Sequence, residues 1–321
     1  MTPDFPSTRR AGFTPPTLAM TDLVRIGRAI LTNTIARVAP ASYLKLTCQT
    51  GREEARSETA EDIAAYFVRC VEAYCHRLGV NQICRLIDKQ VVVEYGPGDC
   101  PGVALLLLAQ GASKVYCVDR FPMVTMSAKN VEVLRCLRSR LSVEEAARFD
   151  GAFIDAMEPG FGFNRDRLEY VVSQHGLSGL QGQANLVLSR AVLEHVDDLP
   201  GTFADMKRAL KDGGIALHLV DLRSHGLHRN NPLDFLEWPN WLWALMYSHK
   251  GVPNRWRANR YREIVTALGV ENILIETTSR VPAITVREAR PRLAAPFRDL
   301  DEEDLACLGL WVQFCKTAAV Q

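Results

Sequence analysis

The segment that most restricts the possible folds lies at residues 91–120, where two short apolar runs flank a glycine turn and a helix. The first run leads into Glu94-Tyr95-Gly96-Pro97-Gly98, and the second run ends at Asp119. Strands that are buried on both faces of a parallel sheet read as short apolar runs, and glycine permits backbone conformations that other residues avoid. The segment therefore predicts a strand, a tight turn, a helix and a second parallel strand.

The same segment predicts a binding site for an adenosine-containing cofactor. Gly96 and Gly98 allow the backbone to approach a ligand without an intervening Cβ atom. Asp119, at the end of the next strand and about twenty residues later, is placed to accept hydrogen bonds from both hydroxyls of a ribose. Two simpler interpretations stay open: Glu94 could bond only to its own turn, and Asp119 could cap the following helix.

Short apolar strands and helices alternate from about residue 89 to the end of the chain, which favours a mostly parallel sheet. The prediction is an α/β, Rossmann-like fold with seven strands and helices on both faces. We expect strands at 90–95, 114–119, 168–172, 185–189, 215–220, 271–277 and 308–315. The predicted organisation is a flexible leader (1–20), a helical N-terminal cover (21–88), and a main domain (89–321) with an aromatic-rich insertion at about 222–258.

Composition excludes several classes of function. The 321 residues carry a formal net charge of +1, which provides no global attraction for nucleic acid. The nine cysteines form no CxxC pair, which is typical of free thiols in a reducing compartment. No apolar run is long enough to span a bilayer, and the first residues contain no apolar secretory segment. We expect a cytoplasmic protein without stable membrane insertion; its oligomeric state is not predicted.

Three motifs in order resemble the class I S-adenosylmethionine-dependent methyltransferases. The first strand of that family ends in E/D-x-G-x-G, which this chain matches at Glu94–Gly98. A segment similar to SRAVLEHV (189–196) forms the end of strand four, and LKPGG precedes strand five. The chain has LKDGG (210–214) there, with Asp212 in place of the usual proline, and Cys100 stands where many members have a third glycine.

The resemblance implies S-adenosylmethionine as the cofactor and assigns roles to its binding residues. Glu94 is expected to support the turn and meet the cofactor's amino group, while Gly96 and Gly98 let the backbone approach it. Asp119 is expected to bind the ribose, and Ser189 and Arg190 to lie beside the methionine portion. The contact to adenine is expected near residues 173–177, where the acidic residue usual in the family is missing.

Histidines follow strands four and five, and they supply the candidates for catalysis. If the acceptor is a hydroxyl, a base must remove its proton, and the candidates are His225, His195 and Asp221. A structural role ranks ahead of catalysis for His195, and His218 is expected to be a satisfied core histidine. No metal site is expected, because no compact set of carboxylates appears and Ser189 stands where metal-dependent members have an acid.

The predicted function is transfer of a methyl group from S-adenosylmethionine to a small molecule, with O-methylation as the first choice. The insertion resembles that of bacterial methyltransferases with NPLxFL and NRxR motifs, matched at 231–236 and 254–257. One alternative is an NAD(P)-dependent oxidoreductase, which the glycine turn and Asp119 would also suit but which Pro101 disfavours. The other alternative is a cofactor-binding protein that has lost catalysis.

Overall fold

The computed structural model describes residues 20–39, 42–43, 58–155, 157, 160–173 and 175–318. Almost all of the predicted leader (1–20) lies outside these residues. The described helices are α1 (Met20–Val38), α2 (Ala60–Leu78), α3 (Cys84–Ile87), α4 (Gly102–Ala109), α5 (Ala128–Arg138), α6 (Val143–Asp150), α7 (Leu199–Ala209), α8 (Asn240–Tyr247), α9 (Ala258–Ala267), α10 (Ala283–Ala289), α11 (Ala295–Arg298) and α12 (Glu302–Ala306).

Seven strands form one sheet, which confirms the predicted fold class. They are β1 (Val91–Tyr95), β2 (Lys114–Asp119), β3 (Leu168–Val172), β4 (Ala184–Arg190), β5 (Leu210–Asp221), β6 (Glu271–Arg280) and β7 (Cys307–Cys315). The order across the sheet is β3-β2-β1-β4-β5-β7-β6. Neighbours from β3 to β5 run parallel, and β7 runs antiparallel to β5 and β6. The order of successive strands across the sheet reverses between β1 and β4. In open α/β sheets, ligands bind beyond the carboxyl ends of the strands at such a point.

The alternation of side chains along the strands separates two apolar layers. Val92 packs with α2 and α4 on one face, whereas Val93 packs with α7 and α9 on the other. Helix α4 is buried along its whole length, because it lies between the sheet and α2. Helix α2 begins with a capping box, in which Thr59 and Asp62 bond reciprocally. The carboxyl ends of β1 and β4 are therefore held between two well-packed layers.

A third apolar cluster joins α1, the insertion and the helices that precede β7. The Asn33 side chain of α1 donates to the Leu245 carbonyl (2.9 Å) and accepts from the His249 amide (2.9 Å). Leu23 and Leu31, which the helical pattern places on the packed face with Ile26 and Ile30, are more than half exposed. Ile26 and Ile30 do pack against the apolar cluster, and the buried positions of α1 include Ala29 and Asn33, of which Asn33 bonds to polar backbone groups of the insertion.

Strand β5 begins earlier than the sequence suggests. Residues Lys211–Gly214, which were expected to precede the strand, are part of it. The strand starts at Leu210, directly after α7. The pairing with β4 shifts register between Ala184 and Leu186, so the glycines form an irregular start to the strand. No helix among the described residues combines the length and apolar character that crossing a membrane requires.

Candidate active site

The glycine turn after β1 has the geometry that the sequence predicts. Gly96 and Gly98 adopt φ angles of 67° and 73°, a region that residues with a Cβ atom rarely occupy. A Cβ atom on Gly96 would lie 2.3 Å from Cγ2 of Val192. The turn therefore needs glycine at position 96 for both its backbone conformation and its packing against the segment that follows β4.

Hydrogen bonds to backbone carbonyls hold this turn in place. The Asn130 side chain, which is 3% exposed, donates to the carbonyls of Asp99 (3.0 Å) and Thr125 (2.8 Å). The Thr125 amide also donates to the Asp99 carbonyl at 2.9 Å. Gly102 has a different purpose, because a Cβ atom there would lie 2.2 Å from the Phe67 ring of α2. The first two glycines shape the turn, and the third allows two helices to pack closely.

Asp119 ends β2 beside the turn and bonds to the loop that follows it. Its Oδ1 accepts hydrogen bonds from the amides of Arg120 (2.7 Å) and Phe121 (3.2 Å). Burial raises the pKa of this carboxyl to about 6, and these two amides oppose the shift. The next long helix, α5, begins at Ala128 and is capped by Ser127. Asp119 is therefore not its N-cap, and the hydrogen bonds made by the described residues engage only Oδ1.

The acid Glu94 and the base Arg190 lie near the same two side chains of α2, Cys70 and Tyr74. Glu94 is 7% exposed, its Oε2 has no partner among the described residues, and burial raises its pKa to about 8. The buried Nη1 of Arg190 also lacks a hydrogen-bond partner within the described ranges. Burial raises the pKa of Tyr74 well above its usual value, with Cys70 and Glu94 adding to the shift and Arg190 opposing it.

Ser189 and Arg190 point to opposite faces of β4. The Ser189 side chain is fully buried, and its hydroxyl lies 2.8 Å from Nδ1 of His218. The His218 ring packs against Phe203 and Phe314, and burial lowers its pKa to about 3. His218 is thus a neutral core histidine with one polar partner. The Ser189 side chain serves the core, and only its backbone remains available to a ligand.

His195, His225 and Asp221 come together where β4 and β5 end. The two imidazole rings lie 4.9 Å apart, edge to face, and the distance from His225 Nε2 to Asp221 Oδ2 is 3.9 Å. Burial lowers the pKa of His195 to about 4, and His225 adds to that shift. Asp221 forms an ion pair with Arg223, whose Nε lies 2.8 Å and 2.9 Å from the two carboxylate oxygens. The three residues named as candidates for catalysis therefore form one cluster.

The structure places three residues at the site to which the sequence motifs assigned no role. Glu194 lies in the 3-10 turn Leu193–His195 and is 1% exposed, next to the two histidines. The Asn254 side chain donates to the carbonyls of Leu193 (2.8 Å) and Val196 (2.9 Å), so the insertion is bonded to this turn. The Tyr66 ring lies 5.8 Å from the Arg190 guanidinium. Glu194 carried a signal as part of the LEHV segment, and Asn254 carried one as part of the NRxR match.

The region predicted to contact adenine is a bonded loop. The Ser173 hydroxyl accepts from the Leu177 amide at 2.7 Å, while residue 174 lies outside the described residues. The loop continues to Ser178 and Gly179, whose amides donate to the buried carboxylate of Asp205 in α7 at 2.6 Å and 3.2 Å. The structure thus places a hydrogen-bonded turn and the Ser178–Gly179 segment beyond β3, beside β2.

Residues 55–275 match the model of a family described as "methyltransferase domain", and the chain belongs to that family. It is an S-adenosylmethionine-dependent methyltransferase, and S-adenosylmethionine is its cofactor, which confirms the family and cofactor predicted from the sequence. The oxidoreductase alternative is set aside by the same match. No curated protein matches the chain.

Several solved structures are similar to this chain at low identity. One is a chain from a complex that contains the Haloferax volcanii Trm112 methyltransferase activator (13% identity, TM-score 0.41, 89% of this chain and 97% of that one). A second is phosphoethanolamine N-methyltransferase 2 of Haemonchus contortus with S-adenosylmethionine (16%, 0.42, 73% and 51%). A third is an S-adenosylmethionine-dependent methyltransferase from Mesorhizobium loti (16%, 0.40, 72% and 92%). The chain spans about half the length of the Haemonchus protein.

Proposed function

We propose that this methyltransferase transfers the methyl group to a hydroxyl of a small molecule. The observation that carries the proposal is the cluster of His195, His225 and Asp221 beyond β4 and β5. Asn254 of the insertion bonds to the Leu193–His195 turn, which carries one of these groups. Removal of a hydroxyl proton needs nearby groups of this kind, whereas a neutral amine needs none before it attacks.

The residues around the glycine turn fit the cofactor. Glu94 offers a buried, unpartnered carboxylate oxygen, which suits an ammonium group. Arg190 offers a buried, unpartnered guanidinium nitrogen, which suits a carboxylate. Together they match the two charges of an amino acid, and Asp119 is the proposed partner of the ribose hydroxyls. Ser189 is proposed to contribute through its backbone, since its hydroxyl bonds to His218.

When bound, S-adenosylmethionine supplies a methyl group on a positively charged sulfur. The protein must then align an acceptor with that methyl group and exclude water, which is where most of the rate gain of a displacement originates. The insertion supports this role, because Trp238 and Trp243 are buried in the cluster that joins it to α1 and to the helices before β7. Trp241 is 66% exposed and does not take part in that packing.

An acceptor screen with S-adenosylmethionine that carries a deuterated methyl group tests the proposal. The panel contains phenols, aliphatic alcohols, amines and carboxylic acids, and mass spectrometry locates the label in each product. We expect labelled methyl ethers, and variant Asp221→Asn should form them more slowly while it still binds S-adenosylhomocysteine. Labelled amines without any methyl ether, or label found only on protein or RNA, would contradict the proposal.

A further inference from the structure

Three side chains beyond β4 and β5 bring potential metal-ligand atoms close together. Glu194, His195 and His225 each offer one potential ligand atom, and these atoms all lie within 4.8 Å of one another. Neither carboxylate oxygen of Glu194 has a hydrogen-bond partner among the described residues, although the residue is only 1% exposed. His195 Nδ1 and His225 Nε2 are likewise buried and without partners there. Glu194 Oε1 and His195 Nε2 lie 3.8 Å apart, too far for a hydrogen bond.

Such an arrangement is costly unless something fills it. A buried polar atom without a partner costs about 1–3 kcal/mol, and a buried carboxylate costs more. The surrounding charged groups do not supply the missing partner: Asp221 is paired with Arg223, and Arg257 donates to the carbonyls of Leu222 and Leu305. A cation bound by one atom from each of the three side chains would compensate the buried charge of Glu194.

We propose that Glu194, His195 and His225 bind a divalent first-row transition-metal ion. Two imidazoles and one carboxylate on one side of an ion leave positions open for another ligand, and such sets bind zinc, iron or cobalt. Magnesium and calcium are disfavoured, since they prefer sets made entirely of oxygen. No metal site was expected from the sequence, because Ser189 stands where metal-dependent members have an acid. The Ser189 side chain faces His218, and the proposed ligands come from the segments that follow the strands.

The role of the ion rests on the proposed O-methylation. An acceptor hydroxyl bound at an open position would lose its proton more readily, because a metal lowers the pKa of an oxygen that it coordinates. The proton would pass to Asp221 or to water, the new O–CH₃ bond would form, and the S–CH₃ bond would break. His195 and His225 would then act as ligands, and Asp221 would remain the proton acceptor.

Titration with Co²⁺ tests the site without reference to activity. The full chain, free of any histidine tag and stripped with a chelator, is titrated while its visible absorption is recorded. We expect one Co²⁺ per chain with ligand-field bands of a nitrogen and oxygen site, and displacement of those bands by Zn²⁺. Glu194→Gln and His225→Ala should each weaken binding by more than the about 10–100-fold typical of outer-sphere changes. His228→Ala is the matched control, since His228 lies in the same insertion and bonds to Ser224.

The outcomes separate this inference from the proposed function. Absence of cobalt bands, or equal binding by wild type and His225→Ala, overturns the metal site. Binding of S-adenosylhomocysteine by each variant shows that it is folded, so a lost cobalt band then reports a lost ligand. Methyl ethers formed by protein that binds no metal would refute only the metal site. Metal bound by protein that yields no methyl ether would refute only the O-methylation.

Discussion

The carboxyl ends of β1 and β2 and those of β4 and β5 lie side by side in one sheet, but they are built differently. At the first pair, the backbone makes the site: two glycines with positive φ, amides that fix Asp119, and carbonyls tied by Asn130. At the second pair, side chains make it, and several of their buried polar atoms have no partner among the described residues. The first region, the proposed cofactor site, is thus held mainly by backbone groups, whereas the second depends on side chains.

The comparison suggests that the two regions respond differently to substitution. Changes in the first region should act on cofactor affinity, because its geometry already suits the cofactor without rearrangement. Changes in the second region should leave that affinity intact and act on turnover or on metal binding. Four substitutions are expected to differ in their effect on the affinity for S-adenosylhomocysteine, from the largest effect to the smallest.

Gly96→Ala should have the largest effect. The new Cβ atom would clash with Val192, and the alanine backbone would have to keep a φ of 67°. A strained backbone conformation of this kind costs about 1–3 kcal/mol before the clash is counted. We expect calorimetry to show an affinity reduced by more than about 100-fold, with a lower free energy of unfolding. Gly269→Ala is the control, since it has a φ of 60° and open space around its Cβ position. Equal binding by both variants would refute a backbone-built turn.

Asp119→Asn should have the next largest effect. The change keeps the shape of the side chain but removes a charge that accepts hydrogen bonds, and hydrogen bonds to charged groups contribute about 1.5–3 kcal/mol. We therefore expect binding to weaken by about 10–100-fold in calorimetry. Asp166→Asn, an exposed aspartate near the opposite end of β3, should bind like wild type. Unchanged affinity in Asp119→Asn would remove the proposed ribose contact.

Glu94→Gln should have a smaller effect that depends on pH. The pKa of Glu94 is raised to about 8, so the free protein carries a protonated carboxyl at lower pH. Binding of an ammonium group favours the ionised form, so the affinity of wild type should rise as the pH approaches 8. We expect Glu94→Gln to bind about tenfold more weakly near pH 8.5 and to lack this rise. A parallel pH profile for both proteins would contradict the assignment.

Replacement of His218 should leave cofactor affinity unchanged and alter stability. The folded pKa of about 3 lies below the ordinary value of 6.5, so the unfolded chain binds a proton first as the pH falls. Wild-type stability should therefore decrease between about pH 6.5 and 3. His218→Phe should flatten that decrease in denaturant titrations and cost about 1–3 kcal/mol at neutral pH, because the Ser189 hydroxyl loses its partner. A large loss of affinity would place His218 in the site.

Much of the fold and the first region was predictable because the signals are local. The apolar run before Glu94, the glycines and the spacing to Asp119 lie within thirty residues, and each reports a backbone requirement. The strand bounds after β1 agree with the predicted ones within a few residues, except for the early start of β5. The packed face of α1 was correct at Ile26 and Ile30 but wrong at Leu23 and Leu31, since helical spacing cannot reveal that Ala29 and Asn33 take the buried positions.

The second region was harder to predict because it depends on distant contacts. Glu194 and His225 are 31 residues apart in the sequence, and His225 reaches the cluster through a backbone φ of 50° that no sequence pattern signals. The opposite directions of Ser189 and Arg190 follow from strand geometry, but which one faces α2 depends on the register with β1 and β5. His218 was correctly predicted as a core residue, because it alternates with apolar neighbours on β5.

A crystal structure of the protein with S-adenosylhomocysteine tests the central claim most directly. The account predicts that the ribose hydroxyls bond to Asp119 and that the amino acid portion lies beside Glu94 and Arg190, over the turn at Gly96 and Gly98. It also predicts that the sulfur points towards the ends of β4 and β5. A nucleoside bound elsewhere, or an Asp119 side chain that makes no contact with it, would contradict the account.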